Sequence, residues 1–279
     1  MWDTVFEELT GRGISVGEPI PLSECRMLRP YKLTRLGFTD SDRLTVIMLA
    51  VPYLAECERG NLSAYAVPRD YHVYFRSLFD ELIPSLKSRY PENRFCGFAD
   101  DSPIDERDAA AKARLGIIGK NGMLITQKHS SFVFLGEIIT DLPFQGAAAN
   151  PIEHCEGCGL CTDACASLLS KGQCLSSLTQ KKGELSPAEE EMIRDSGVIW
   201  GCDRCQEVCP HTKRARLDGS IYTTVDFFKE ALIPNLTEAD LQGMSDEDFA
   251  SRAYSWRGRA VIERNLRLLS TPHHNKTKE

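Results

Sequence analysis

The sequence has no apolar run long enough to cross a bilayer. Its longest, residues 44–55 (LTVIMLAVPYLA), is about half a membrane span. Pro52 interrupts it, so it reads as a buried strand. An export leader is also missing: the opening MWDTVFEEL is acidic and amphipathic. Both absences argue against a membrane partner and for a reducing cytoplasm. Low-complexity linkers and long internal repeats are lacking. Nor is there an excess of positive charge. Lys and Arg number 33 against 40 Asp and Glu, a net charge of −7, which excludes a global attraction to nucleic acid. The basic residues are unevenly placed, however. Arg204, Lys213, Arg214 and Arg216 form one group, and Arg252, Arg257, Arg259, Arg264 and Arg267 another. They read either as a local RNA-facing stripe or as ordinary solvated helix faces.

What the sequence does have is cysteine. Cys155, Cys158, Cys161 and Cys165 follow C-x2-C-x2-C-x3-C; Cys202, Cys205 and Cys209 follow C-x2-C-x3-C and close on Pro210, with Cys174 between the runs. Eight thiolates are what two [4Fe–4S] clusters need, and this is the spacing of bacterial two-cluster ferredoxins. In that pattern the last cysteine of each run crosses to the other cluster. Cys155, Cys158, Cys161 and Cys209 would then hold one cluster, and Cys165, Cys174, Cys202 and Cys205 the second. Structural zinc also uses C-x2-C pairs but leaves Cys161 unexplained, and disulfide frameworks belong to small secreted chains. Ala166 stands where a proline often follows the first run. Cys25, Cys57 and Cys96 lie outside the pattern and read as buried or half-buried structural thiols.

The 279 residues suffice for one large or two modest domains. Apolar spacing predicts an N-terminal helix over Trp2–Leu9, a strand over Leu44–Val51, and a helix from Asp70 that Pro84 ends or kinks. A strand at Phe95–Phe98 follows, then a helix from about Asp105 to Gly116. Met123–Thr126 and Ser131–Thr140 read as a strand pair. Ser186-Pro187-Ala188-Glu189 combines an N-cap, a proline at the first helical position and a capping-box acid. Helices are expected at Val225–Leu232, from Ser245, and at Arg259–Leu269, before a frayed tail over 271–279. The expected plan is an α/β (α+β) domain over 1–148, a ferredoxin-like two-cluster domain over 149–215 and a helical segment over 216–279.

Three segments ahead of the cysteines carry candidate chemistry. Asp70 and His72 begin like the D-x-H-x-x-G cobalamin motif, but Phe75 occupies its glycine position, so His72 reads as a hydrogen-bonded residue at a helix start. Asp100 and Asp101 precede a Ser-Pro turn; they either cap a helix or include a carboxyl held protonated in a poorly solvated cleft. Residues 115–121 (LGIIGKN) are not a Walker loop, yet the paired glycines allow a close backbone approach to a flat or anionic ligand.

In order, SAYAVPRDYH, DDSPIDERDAA, LGIIGKNGMLI, SSFVFLGEIITDL, CEGCGLCTDAC, QCLSSLT and GCDRCQEVCP resemble the segments of epoxyqueuosine reductases. The resemblance covers roughly residues 40–210 and extends more weakly to the helix around Arg264 and Asn265. GCDRCQEVCP and the GKN-to-FLGE stretch are its most specific parts. It implies a base-off cobalamin held between an α/β domain and a two-cluster domain, with electrons from an external donor passing through the clusters. The implied substrate is epoxyqueuosine in the tRNA anticodon loop, whose epoxide oxygen leaves as water to give queuosine. Asp100 matches the proton-donor position, with Asp101 next to it, while Tyr65, Lys120, Asn121, Ser176 and Asp203 fall where family members approach the corrin. Pro68 replaces a frequent glycine, the spacer from Cys165 to Cys174 is short, and the sequence ends near where a C-terminal helical-repeat extension would begin. The expected protein is a monomeric cytoplasmic oxidoreductase. Its rivals are a corrinoid reductase with another small substrate and a pure electron carrier, although a carrier would not need some 150 residues ahead of its cysteines.

Overall fold

The structure, a computed structural model, describes residues 3–39, 43–144, 149–169 and 174–270. Its centre is a five-stranded sheet built from β1 (Ser15–Val16), β2 (Ile20–Pro21), β3 (Thr45–Pro52), β4 (Phe95–Phe98) and β7 (Val133–Thr140), in the order β1-β3-β7-β4 with β2 also on β3. All pairings are antiparallel, so the domain is α+β in type. Alternating strands and helices suggest a parallel sheet, but the crossovers return each strand in the opposite sense.

Every residue of β3 is buried, because both faces of the sheet are covered. Ile47, Leu49 and Val51 pack with Phe75, Leu78, Leu82 and Leu86 of the helix Tyr71–Arg89. Val46, Met48 and Ala50 pack with Ala109–Ala111 of the helix Glu106–Lys112. A strand covered on both sides has no polar face to present, which explains the unbroken apolar run. Two glycines admit the long helix: a Cβ on Gly136 would lie 2.4 Å from the Phe75 ring, and one on Gly97 2.4 Å from that of Phe79. Asp70 caps this helix by accepting the His72 N–H. Pro84 does not end it. The ring is exposed while Leu78, Leu82 and Leu86 continue the buried i, i+4 stripe, so packing outweighs the lost hydrogen bond.

Other expectations are revised. Met123–Thr126 and Ser131–Thr140 do not form a strand pair. β6 (Leu124–Ile125) pairs with β5 (Ile117–Ile118), while β7 joins the main sheet and only Thr126 and Ser130 bridge the two. The helix after Asp105 stops at Lys112, and Val225–Leu232 supplies only a 3-10 turn, Asp226–Lys229. The Ser186–Glu189 capping box forms, and its helix runs from Pro187 to Ser196. Residues 271–279 lie outside the described residues, as does the side chain of Ala166.

The chain beyond the cysteines packs back on what precedes them. Ile221, Val225 and Phe228 enter the core above the long helix. Trp200, Tyr254, Ile262 and Leu266 enclose Leu62, Ala66 and Val67 in another. Arg267 lies on a solvated helix face beside Glu263, but neither that nor an RNA-facing stripe describes Arg252, Arg259 and Arg264. Arg252 is buried and donates to the Ala231 carbonyl at 2.7 Å; Arg259 donates to the carbonyls of Leu241 and Met244, and Arg264 to those of Lys181 and Gly183. These guanidinium groups close helix ends and loops. Arg204, Lys213 and Arg214 are exposed. Among the described residues, no helix is long and apolar enough to cross a membrane.

Asn265 is fully buried and donates to the Thr179 and Ile199 carbonyls, both at 2.8 Å. Replacing it with Leu strands both carbonyls. Chemical denaturation should show a loss of about 2–4 kcal/mol; a smaller loss would mean that water reaches them.

Candidate active site and cysteine cavities

The β5–β6 hairpin is the hinge of the site. Its tip, residues 119–121, lines one cavity, and Met123 and Leu124 line another. The first cavity is bounded by Cys155, Cys158, Cys161 and Cys209 together with Gly119, Lys120 and Asn121. The Lys120 N–H donates to Cys155 Sγ at 3.3 Å. Gly157 and Gly159 take positive φ of 70° and 87°, so the loop folds its cysteines inward. The remaining four thiols form a second neighbourhood: Cys205 feels Cys202, Cys165 and Cys174, and Cys202 and Cys165 each feel Cys174. Burial pushes Cys205 up to about 11, against a hydrogen bond from Asn121. Burial, first, makes Cys165, Cys202 and Cys205 resist ionisation, and bound iron would remove that penalty by taking them as thiolates. The donor set therefore fits a cluster. Among the described residues, no three or more His, Cys, Asp or Glu converge as they would on one metal ion.

Of the cysteines outside the pattern, Cys25 is buried, with its thiol pushed up to about 12 chiefly by burial, and Cys96 is half-buried. Cys57 is exposed, contrary to expectation. It lines a cavity of about 450 Å³ that also reaches Cys202 and Asp203.

The cleft on the other side of the hairpin encloses about 280 Å³ between Tyr65, Tyr71, Asp100, Glu106, Arg107 and the start of β7. Tyr71 stacks on Phe134 at 4.3 Å and 15° to give a flat wall. Asp100 sits at a φ of 65°, a conformation rare outside glycine. Its N–H donates to Glu106 Oε1 at 3.0 Å, which holds the strained turn. His72 faces two acids, with Nδ1 2.8 Å from Asp70 Oδ1 and Nε2 3.6 Å from Asp100 Oδ2. Asp100, then Asp70, push the imidazole up to about 9, and His72 in turn lowers Asp100. The neighbouring imidazole thus favours the charged form of Asp100. The proton resides on His72. Asp101 points elsewhere, to Lys32 and Arg29.

The other expected residues divide. Tyr65 lines the cleft; Lys120 and Asn121 line the cysteine cavity. Asp203 accepts from Ser63 Oγ at 2.6 Å and from the Ala64 N–H at 2.7 Å, so it fixes the turn that carries Tyr65. Ser176 accepts from Gln180 Nε2 at 3.1 Å on its own short helix and lines neither cavity. Sequence reasoning overlooked Glu106 and Glu137. The available signal was an acid in the middle of an apolar strand, FLGEIIT.

The fold has counterparts among oxidoreductases of known structure. No family model matches the chain. It is 30% identical over 253 residues to the epoxyqueuosine reductase of Lactococcus garvieae, covering 83% of this chain and 69% of that protein. Identity is 33% to the enzyme of Pseudomonas aeruginosa, covering 85% and 65%, and 32% to that of Synechocystis sp., covering 74% of each. A selenomethionine-labelled epoxyqueuosine reductase superposes with a TM-score of 0.74 at 26% identity, over 96% of this chain and 80% of the other. Another, solved with a tRNA-Tyr epoxyqueuosine-modified stem loop, gives 0.73 at 25% over the same shares. The chain belongs to the epoxyqueuosine reductase family and spans about two thirds of the length of these curated relatives.

The raised His72 pKa means that its ion pair with Asp100 is complete below about pH 6.5 and is lost as pH rises through about 9. An NMR titration should place the imidazole midpoint near 9 in the native protein. In Asp100→Asn it should fall toward 6.5; an unchanged midpoint would show that Asp100 is not the partner.

Proposed function

We propose that the protein reduces epoxyqueuosine in the anticodon loop of tRNA to queuosine. The single observation that carries this reading is the Asp100–His72 pair, in a cleft that shares one hairpin with the cysteine cavity. Removing the epoxide oxygen as water and leaving an alkene takes two electrons and two protons. The cleft offers the departing oxygen a carboxyl–imidazole pair that holds one proton. The hairpin tip lies between that cleft and the thiols.

Cys155, Cys158, Cys161 and Cys209 would hold one [4Fe–4S] cluster, and Cys165, Cys174, Cys202 and Cys205 the other, in a ferredoxin-like unit over 149–215 between segments 1–148 and 216–279. Base-off cobalamin would lie against Tyr65, Lys120 and Asn121. Asp203 would act through the Ser63–Tyr65 turn, and Ser176 at the margin. When bound, the clusters supply single-electron relay from an external donor and the corrinoid supplies a strongly reducing metal. The protein's own part is to hold the epoxide against Asp100, keep one proton between Asp100 and His72, and exclude water with the Tyr71–Phe134 wall. Exposed Arg204, Lys213, Arg214 and Arg267 are candidate phosphate contacts on a chain of net charge −7.

Protein purified anaerobically with cobalamin should carry about eight irons and one cobalt and convert epoxyqueuosine-tRNA. Iron and cobalt without conversion would sink the substrate assignment. Asp100→Asn should retain both metals and lose turnover by roughly 10²-fold or more; retained turnover removes Asp100 from the reaction. Affinity for tRNA should also fall steeply with salt, and salt-independent binding would count against phosphate contacts.

A further inference from the structure

The reduction proposed for the cleft consumes two protons, and the need for a second proton source rests on that reading. Asp100 and His72 hold one proton between them. Directly behind Asp100 lies another pair. Glu137 projects from β7 to the sheet face covered by the helix Glu106–Lys112 and is fully buried. Its Oε1 accepts from Ser102 Oγ, while Oε2 is buried with no hydrogen-bond partner. The Glu106 carboxyl is within hydrogen-bonding reach of Glu137, and its own Oε1 already holds the Asp100 N–H.

The surroundings offer little positive compensation. Asp100 and Asp105 press on Glu106, and Glu106 presses on Glu137. The Cys25 thiol also feels Glu137. On the same helix, Lys112 is paired with Asp108 at 2.8 Å, and Arg107 is turned to the Gly122 carbonyl at 2.9 Å. Two carboxylates side by side in such a layer repel each other. A single proton between them removes the repulsion and supplies the missing donor for Oε2.

We propose that Glu106 and Glu137 share one proton, and that Glu106, which lines the cleft, releases it to the departing oxygen as the second proton of the reduction. One carboxyl O–H bond breaks and one O–H bond of the product water forms. The pair is left as two carboxylates and regains its proton from solvent through the cleft mouth. The electrons come from the external donor and not from this pair. Glu106 acts at the cleft; Glu137 is a positioning residue that acts through it. Burial, first, raises both groups, with Asp100 adding to Glu106, to about 7, and Glu106 adding to Glu137. The pair therefore stays protonated below neutrality and empties as pH rises.

The test compares wild-type holoprotein with Glu106→Gln and Glu137→Gln, amides that keep the shape and, at 106, an acceptor for the Asp100 N–H. Wild-type turnover should fall as pH rises through about 7. Both variants should lose that limb and run roughly 10²-fold slower at neutral pH, with iron content and tRNA affinity unchanged. A folded Glu137→Gln protein with the wild-type rate and pH profile overturns the proposal. Infrared difference spectra provide a readout independent of activity: a carboxylic-acid carbonyl band at neutral pH should be present in wild type and shifted in both variants, where an amide replaces one member of the pair. Its absence from wild type also overturns the proposal. If wild type shows the band but converts no epoxyqueuosine, the functional reading and the delivery step fail together, while the shared proton stands.

Discussion

The arrangement depends on one half-buried carboxyl. Asp203 sits between two of the metal-ligand candidates, Cys202 and Cys205, yet its oxygens are taken by Ser63 and Ala64, far back in the chain. Gly201 makes the approach possible, since a Cβ there would lie 2.4 Å from that of Ser63. Taking a carboxyl out of water is costly, and only charge-assisted donors at short range offset it. Here they also join the cysteine segment to the sheet domain. Without that clasp, Tyr65 would not be held in the cleft while the thiols gather nearby.

The clasp shares its work with apolar packing that respects no boundary in the sequence. Trp200 and Tyr254 close over Leu62, Ala66 and Val67, and Phe228 reaches the core above the long helix. Arginines that read as a basic face are spent instead on backbone carbonyls, as with Arg252 and Arg259. A guanidinium with five donors suits several converging carbonyls, which is why a charged residue can be structural. The charge on offer to a polyanion is therefore smaller than the composition suggests.

Much of this was legible in the sequence where the signal is local. The apolar run of β3, the Asp70 cap and the Ser186–Glu189 box depend on neighbours a few residues apart. The cysteine spacing was equally plain. What escaped depends on long-range partners. The pairing of β7 with β3 and β4 is decided by a sheet assembled from distant segments. The ionisation of Asp100 depends on His72, which reads as an ordinary helix-start histidine. Glu137 could be noticed only as an acid in a strand, and its meaning came from Glu106 on the opposing helix.

The sheet topology also fixes an order of assembly. β3 is synthesised early but lies between β1 and β7, so its second edge stays open until residues 133–140 have been made. Such an open apolar edge is an aggregation hazard for a nascent chain. Closure comes just before the first cysteine run emerges. The Asp203 clasp and the Trp200 core follow later still, and that core needs Ile262 and Leu266. The scaffold strands thus precede in the chain the thiols that the later segments confine, and the cysteine loops stay accessible until those segments have been made.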